Sequence, residues 1–274
     1  MELKKYLEQV KLKKPLVHNI TNYVTVNNCA NILLACGASP IMSDDCDEAE
    51  EITSICGGLN INIGTLNRST IYAMFLSGKK ANALGHPIVL DPVGAGASKL
   101  RTETAEQLIK EINISVIRGN ISEIKALALG SGKTKGVDAD IADKITEENI
   151  EHTVSFAKEF SKKTGAIIAI TGETDIVSDG DSTFLIKNGH SIMEAITGSG
   201  CMLSAMITAY VTANQDNKLY AVVAAVCAMG LCGEIAQKRM TEKDGNGSFC
   251  NYLLDAVYQL DGEMLSKGAV YEVK

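Results

Sequence analysis

Six short apolar runs, alternating with longer helical patterns, constrain this chain more than any other feature. They fall at residues 16–20, 40–42, 59–64, 88–91, 115–118 and 166–171. Ile167-Ile168-Ala169-Ile170 has no polar face, so as a strand it must be covered on both sides. Covered strands alternating with helices predict a parallel sheet with crossover helices. The helical patterns lie at 24–36, 44–56, 69–84, 103–111 and 149–163, then at 202–210, 219–240 and 249–265. Gly37, Gly85 and Gly165 each follow one of these patterns, where a left-handed C-terminal residue is wanted. Residues 175–178 and 182–187 read as a hairpin around Asp179-Gly180-Asp181. No internal repeat is visible, and the only linker-like stretches are the short 130–136 and 241–248. The expectation is one α/β domain over residues 1–274.

Charge removes one class of function. Twenty-six basic against 33 acidic side chains leave a net charge of −7, without a basic stripe. Nucleic-acid binders cluster Lys and Arg against phosphates, so that class is set aside. With 46% hydrophobic residues the chain is not a disordered one. The start MELKKYLEQVKLKK lacks the apolar core of a secretion signal, and no C-x-x-C pair occurs among the eight cysteines. Reduced thiols in a cytoplasmic protein are therefore expected. The apolar run 220–233 falls short of the roughly 20 residues that cross a bilayer.

Two Gly-rich stretches mislead. Gly130-Ser131-Gly132-Lys133-Thr134 resembles a P-loop, but Leu127 stands where its first glycine belongs, and a helix precedes it. Gly94-Ala95-Gly96-Ala97-Ser98-Lys99 begins like a dinucleotide fingerprint and ends in lysine, with no helix expected before residue 103.

The informative segment is Thr197-Gly198-Ser199-Gly200-Cys201. Its glycines let backbone N–H groups converge at the start of a helix, whose N-terminus carries partial positive charge. That is a cradle for an anion such as a transferring phosphoryl group. The same field is expected to lower the pKa of Cys201. Asp91 closes a buried strand at the edge where α/β sheets bind ligands. Arg118 ends another strand and can grip phosphate; Glu123, four residues beyond Gly119, can face a hydrated metal or complete a capping box with Asn120. Thr171-Gly172-Glu173 ends a third strand. His18 reads as structural, and His86, His152 and His190 as peripheral.

Taken in order, His18-Asn19-Ile20-Thr21-Asn22, Gly37-Ala38-Ser39-Pro40-Ile41-Met42, Asn62-Ile63-Gly64-Thr65-Leu66, Asp91-Pro92-Val93-Gly94, Arg118-Gly119-Asn120, Thr171-Gly172-Glu173 and Thr197-Gly198-Ser199-Gly200-Cys201 resemble the hydroxyethylthiazole kinases. These have the ribokinase-like fold, whose other members usually carry Asp where this chain has Cys201. The resemblance implies a mostly parallel central sheet with helices on both faces. It also implies ATP-dependent phosphorylation of the hydroxyl of 4-methyl-5-(2-hydroxyethyl)thiazole in thiamin biosynthesis or salvage, with Mg²⁺. Carried over by position, Arg118 and Thr171 contact ATP, and Met42, Gly198, Asn22 and Gly64 contact the thiazole. Asp91 and Glu123 are the metal-side acids, and Cys201 is the catalytic residue. The family precedent is a homotrimer with sites at subunit interfaces, in which Asn22 and Met42 serve a neighbour's site. Gly245-Asn246-Gly247-Ser248-Phe249 departs by one residue from the family's usual Gly-Thr-Gly-Ser-Phe. The rival readings are a pyrimidine or sugar kinase and a nicotinamide-hydrate dehydratase, each expected to carry Asp at position 201, and a non-catalytic thiazole or nucleotide sensor.

Overall fold

The computed structural model describes residues 2–130 and 149–274. Residues 131–136 of the first linker-like stretch, and with them the P-loop-like Ser131-Gly132-Lys133-Thr134, lie outside the described residues.

Nine strands form one sheet in the order β2-β1-β3-β4-β5-β6-β7-β8-β9. The first six are β1 Leu16–Ile20, β2 Ser39–Met42, β3 Gly58–Asn62, β4 Ile88–Asp91, β5 Val116–Asn120 and β6 Ile167–Thr171. All of their pairings are parallel, so their carboxyl ends share one edge of the sheet. The expected hairpin follows as β7 Asp175–Ser178 and β8 Thr183–Ile186, and a terminal β9 Tyr271–Val273 adds a third antiparallel pairing. The turn between β7 and β8 uses Gly180 at φ +96°, and Gly37, Gly85 and Gly165 end their helices in the left-handed region as expected.

Both faces of the sheet are covered, as the apolar strands demanded. One face carries α1 Lys4–Lys13, α2 Val26–Cys36, α8 Ser199–Ala213, α9 Lys218–Arg239, α10 Asn246–Gln259 and α11 Gly262–Gly268. The other carries α3 Ala49–Ile55, α4 Arg68–Leu84, α5 Lys99–Glu111, α6 Ile121–Leu129 and α7 Ile150–Thr164. Successive strand residues alternate between the two layers: Val89 and Val116 pack with α8 and α9, whereas Leu90 and Ile117 pack with α4 to α7. The central helices α8 and α9 are apolar around most of their circumference and buried along most of their length. The apolar run 220–233 is thus part of a 22-residue helix. That helix is long and apolar enough to cross a membrane, but it lies inside the protein.

Several boundaries differ from the sequence reading, each for a local reason. The helix expected from residue 44 begins at Ala49, because Asp45 Oδ1 accepts the Asp47 N–H and holds a turn there. Helix α5 begins at Lys99, earlier than expected, with the Ser98 hydroxyl accepting the Arg101 N–H as its cap. The last expected helix is two helices, since Asp261 accepts the Met264 N–H and starts a new one.

Candidate active site

Strands β3 and β4 end side by side, with Asn62 paired in register against Asp91. Both side chains are fully buried and face α8. The Asn62 amide donates to Asp91 Oδ2 at 2.8 Å, and Ser204 of α8 donates to the same oxygen at 2.8 Å. Asp91 Oδ1 is buried without a hydrogen-bond partner among the described residues. Burial pushes the Asp91 carboxyl up to about 6, against the pull of the Arg118 cation.

Cys201 occupies the first turn of α8 and is nearly buried. Its sulfur accepts from the amides of Asn22 and Asn62, each at 3.3 Å. Asn22 in turn donates to Asn62 Oδ1 at 2.9 Å and accepts from the Thr25 N–H and hydroxyl. The expected low pKa of Cys201 is corrected here. Burial, reinforced by the Asp91 charge, pushes the thiol up, and Thr25, the Asn22 amide and Arg118 only partly offset that. Within its own chain Asn22 is bonded to Cys201.

On the other flank of Asp91, Arg118 Nη1 stands 3.7 Å from Asp91 Oδ2 and Nη2 donates to the Thr171 hydroxyl at 2.5 Å. The Arg118 side chain is 11% exposed, and its Nε is without a partner among the described residues. The guanidinium lies directly against Gly200, where any Cβ would collide with it. Gly198, at φ +84°, is pressed against Thr25 in the same way. These two glycines are therefore fixed by close approach, and Gly198 also by its backbone.

Glu123 completes the capping box expected with Asn120, taking the Asn120 N–H on Oε2. Its other oxygen accepts the Gly94 N–H at 2.9 Å, so it ties the loop after β4 to the start of α6. The loops after β3 and β4 are joined by Arg101, which donates to the Gly64 and Val93 carbonyls. Gly64 itself donates its N–H to Asn62 Oδ1. Met42 ends the edge strand β2, half-buried, one strand removed from β3. His18 is consumed inside the protein by Thr53 and the Ser43 carbonyl.

Asp175 accepts the Gly172 N–H at 2.9 Å and so closes the turn that follows Thr171. Burial pushes its carboxyl up to about 7, while that hydrogen bond and Arg118 pull it down. Between pH 3.8 and about 7 the folded chain therefore keeps a proton that the unfolded chain releases, and stability falls as pH rises through that window. Asp175→Asn removes the ionisation and retains an acceptor for Gly172. The variant is expected to melt about 2–5 °C higher at pH 8, with the gap closing toward pH 4. Calorimetric scans at both pH values check this.

The structure thus brings Asn22, Gly64, Asp91, Arg118, Thr171, Gly198 and Cys201 together at the carboxyl edge of the sheet. Glu123 braces them and Met42 stands apart on the edge strand. The sequence reading did not single out Asn62, Ser204, Thr25 or Arg101. Asn62 lay in a quoted motif, but only the fold turns its amide toward Asp91 and Cys201. A buried carboxylate, an arginine and a glycine-rich helix start on one strand edge form a place to receive and transfer a phosphoryl group.

Three known kinases resemble this chain. A hydroxyethylthiazole kinase of Clostridium acetobutylicum is 60% identical over 98% of this chain and 99% of its own. A hydroxyethylthiazole kinase structure from Pyrococcus horikoshii superposes with a TM-score of 0.88 at 35% identity, covering 99% and 98% of the two chains. The pyridoxal kinase of Staphylococcus aureus, at 16% identity and a TM-score of 0.60 over 95% and 98% of the chains, shares the ribokinase-like fold. The sequence pattern of the hydroxyethylthiazole kinase family runs through residues 7–263, and on that match and these identities the chain belongs to this family of kinases.

Proposed function

We propose that the protein transfers the γ-phosphoryl group of ATP to the primary hydroxyl of 4-methyl-5-(2-hydroxyethyl)thiazole, a step of thiamin biosynthesis or salvage. The observation that carries this reading is the cluster of Cys201, Asp91 and Arg118 around the Gly198–Gly200 turn, in a chain of this family.

Arg118, held by Thr171, grips the phosphates; Thr171 is the second nucleotide contact. Backbone N–H groups at the start of α8 receive the oxygens of the transferring group. Asn22, Gly64 and Gly198 bound the thiazole, and Met42, which stands apart within its own chain, offers its soft thioether to the sulfur-containing ring in a neighbouring subunit's site. Cys201, the catalytic residue, orients the substrate hydroxyl through its thiol, which burial keeps protonated, and the hydroxyl proton leaves late to an oxygen of the transferred phosphoryl group, because a loose transition state asks little of a base.

The residues fit a divalent cation. Asp91 Oδ1 is a buried carboxylate oxygen that no donor among the described residues occupies, although both Glu123 oxygens already hold backbone amides. Mg²⁺ would be held by Asp91 with Glu123 nearby, and when bound it would neutralise charge on the phosphate oxygens.

Residues 1–274 act as one catalytic unit, and the eight free thiols suit a reducing cytoplasm. The assembly is a homotrimer, a reading supported by the exposed apolar residues Tyr23 and Val24 before α2 and Leu34 within it. Light scattering at assay concentration is expected to give three times the chain mass of 29.2 kDa, and an active monomer refutes the trimer.

The test of function is incubation with ATP, Mg²⁺ and a panel of small alcohols, following ADP release. Turnover on the thiazole alcohol that vanishes with chelator is expected. Phosphorylation of a pyrimidine or sugar in its place overturns the substrate assignment.

A further inference from the structure

Asn62 touches Asp91, Cys201, Asn22 and Gly64 at once. It is 1% exposed and uses its amide completely. The Nδ2 group donates to Asp91 Oδ2 at 2.8 Å and to Cys201 Sγ at 3.3 Å. Its Oδ1 accepts from Asn22 Nδ2 at 2.9 Å and from the Gly64 N–H at 2.9 Å. No other residue type of this size offers two donors and two acceptor directions on one planar group. Aspartate has the shape but no donors, and would set a second carboxylate beside Asp91. Leucine has the volume but would strand the buried Asn22 and Gly64 donors.

We propose that Asn62 is a positioning residue for phosphoryl transfer: its amide fixes Cys201 Sγ and Asp91 Oδ2 relative to each other while anchoring the Asn22 and Gly64 walls of the alcohol pocket. The inference rests on the kinase reading above. Its physical content is directional. With both hydrogen atoms of Nδ2 spent on the sulfur and the carboxylate, and Asn22 Nδ2 donating to the same sulfur, what the thiol retains for the substrate hydroxyl is its own S–H. Asp91 Oδ2 is saturated by Asn62 and Ser204, which leaves Oδ1 as the oxygen available to the reaction. Misplacement of such groups by about 1 Å costs on the order of 100-fold in rate. Arg118 and Thr171 are not touched by Asn62, so nucleotide binding belongs to a separate part of the site.

The experiment compares the parent with Asn62→Asp and Asn62→Ala. It measures kcat, KM for ATP and for the thiazole alcohol, calorimetric binding of ADP, and thermal midpoint. The expected result is a kcat lower by about 100-fold and a raised KM for the alcohol, with ADP binding within about 2-fold of the parent. A merely space-filling Asn62 predicts that the near-isosteric Asn62→Asp keeps kcat within about 3-fold, which overturns the proposal. So does a loss shared equally between kcat and ADP binding. If neither variant folds, as judged by circular dichroism, Asn62 is structural and the proposal also falls. A parent that binds ADP but phosphorylates no thiazole alcohol refutes the function, and is told apart because the parent, not the variants, is then inactive.

Discussion

Asp91→Asn lowers kcat by about 1000-fold while leaving the protein folded, because it removes the buried charge that faces the reacting phosphoryl group. Asparagine keeps the shape, and its carbonyl still accepts from Asn62 and Ser204, so the hydrogen-bonded frame around position 91 survives. What disappears is the negative charge beside Arg118 and the unpartnered Oδ1 through which a cation would be held. The loss should lie in kcat, with KM for ATP changed little, since Arg118 remains fastened to Thr171. Steady-state rates at saturating ATP and Mg²⁺ settle it. A variant retaining more than a tenth of parental kcat removes Asp91 from the chemistry.

The second large effect is expected at Gly200. Valine there has no room, since its Cβ falls onto the Arg118 guanidinium. The arginine must leave its place between Asp91 and Thr171, and kcat/KM for ATP should drop by about 1000-fold or more. This gives Gly200 a different reason from the one the sequence suggests, which is access of phosphate oxygens to backbone N–H groups. A double-mutant cycle separates the two. If Gly200 exists to make space for Arg118, Gly200→Val costs little more in a protein already carrying Arg118→Ala. Full additivity of the two losses would show that the glycine serves the phosphate directly.

Much of the fold was legible because its signals are local. The apolar strands, the left-handed glycines at 37, 85 and 165 and the hairpin around Gly180 depend on neighbours in sequence, and the structure has them close to where the residues place them. Helix α1 escaped notice because its run KKYLEQVKLK is mostly polar and buries only Tyr6, Leu7 and Val10. Strand β9 is three residues long and has no pattern of its own; it exists because β8 offers an edge. In the site, residue types at strand ends were readable, but their mutual contacts were not. That Asn62 meets Cys201, or that Arg118 rests on Gly200, depends on how α8 is laid across the sheet. The thiol of Cys201 shows the same limit in energetic form. Sequence reveals the helix start that lowers its pKa but not the burial that outweighs it.

The two ends of the sheet carry a further consequence. An open strand edge is a template on which other chains can polymerise, and this sheet has one at each side. At one side β2 is only four residues long and contains Pro40, which has no N–H to offer an incoming strand. At the other, β9 is shorter still and bears Glu272, with Lys274 just beyond it. Short length, proline and charge are the devices that discourage edge-to-edge aggregation. Copies of this chain can therefore crowd together at high concentration without their sheets fusing into fibrils. Any ordered association has to be made by side chains meeting face to face, which can close on itself and stop.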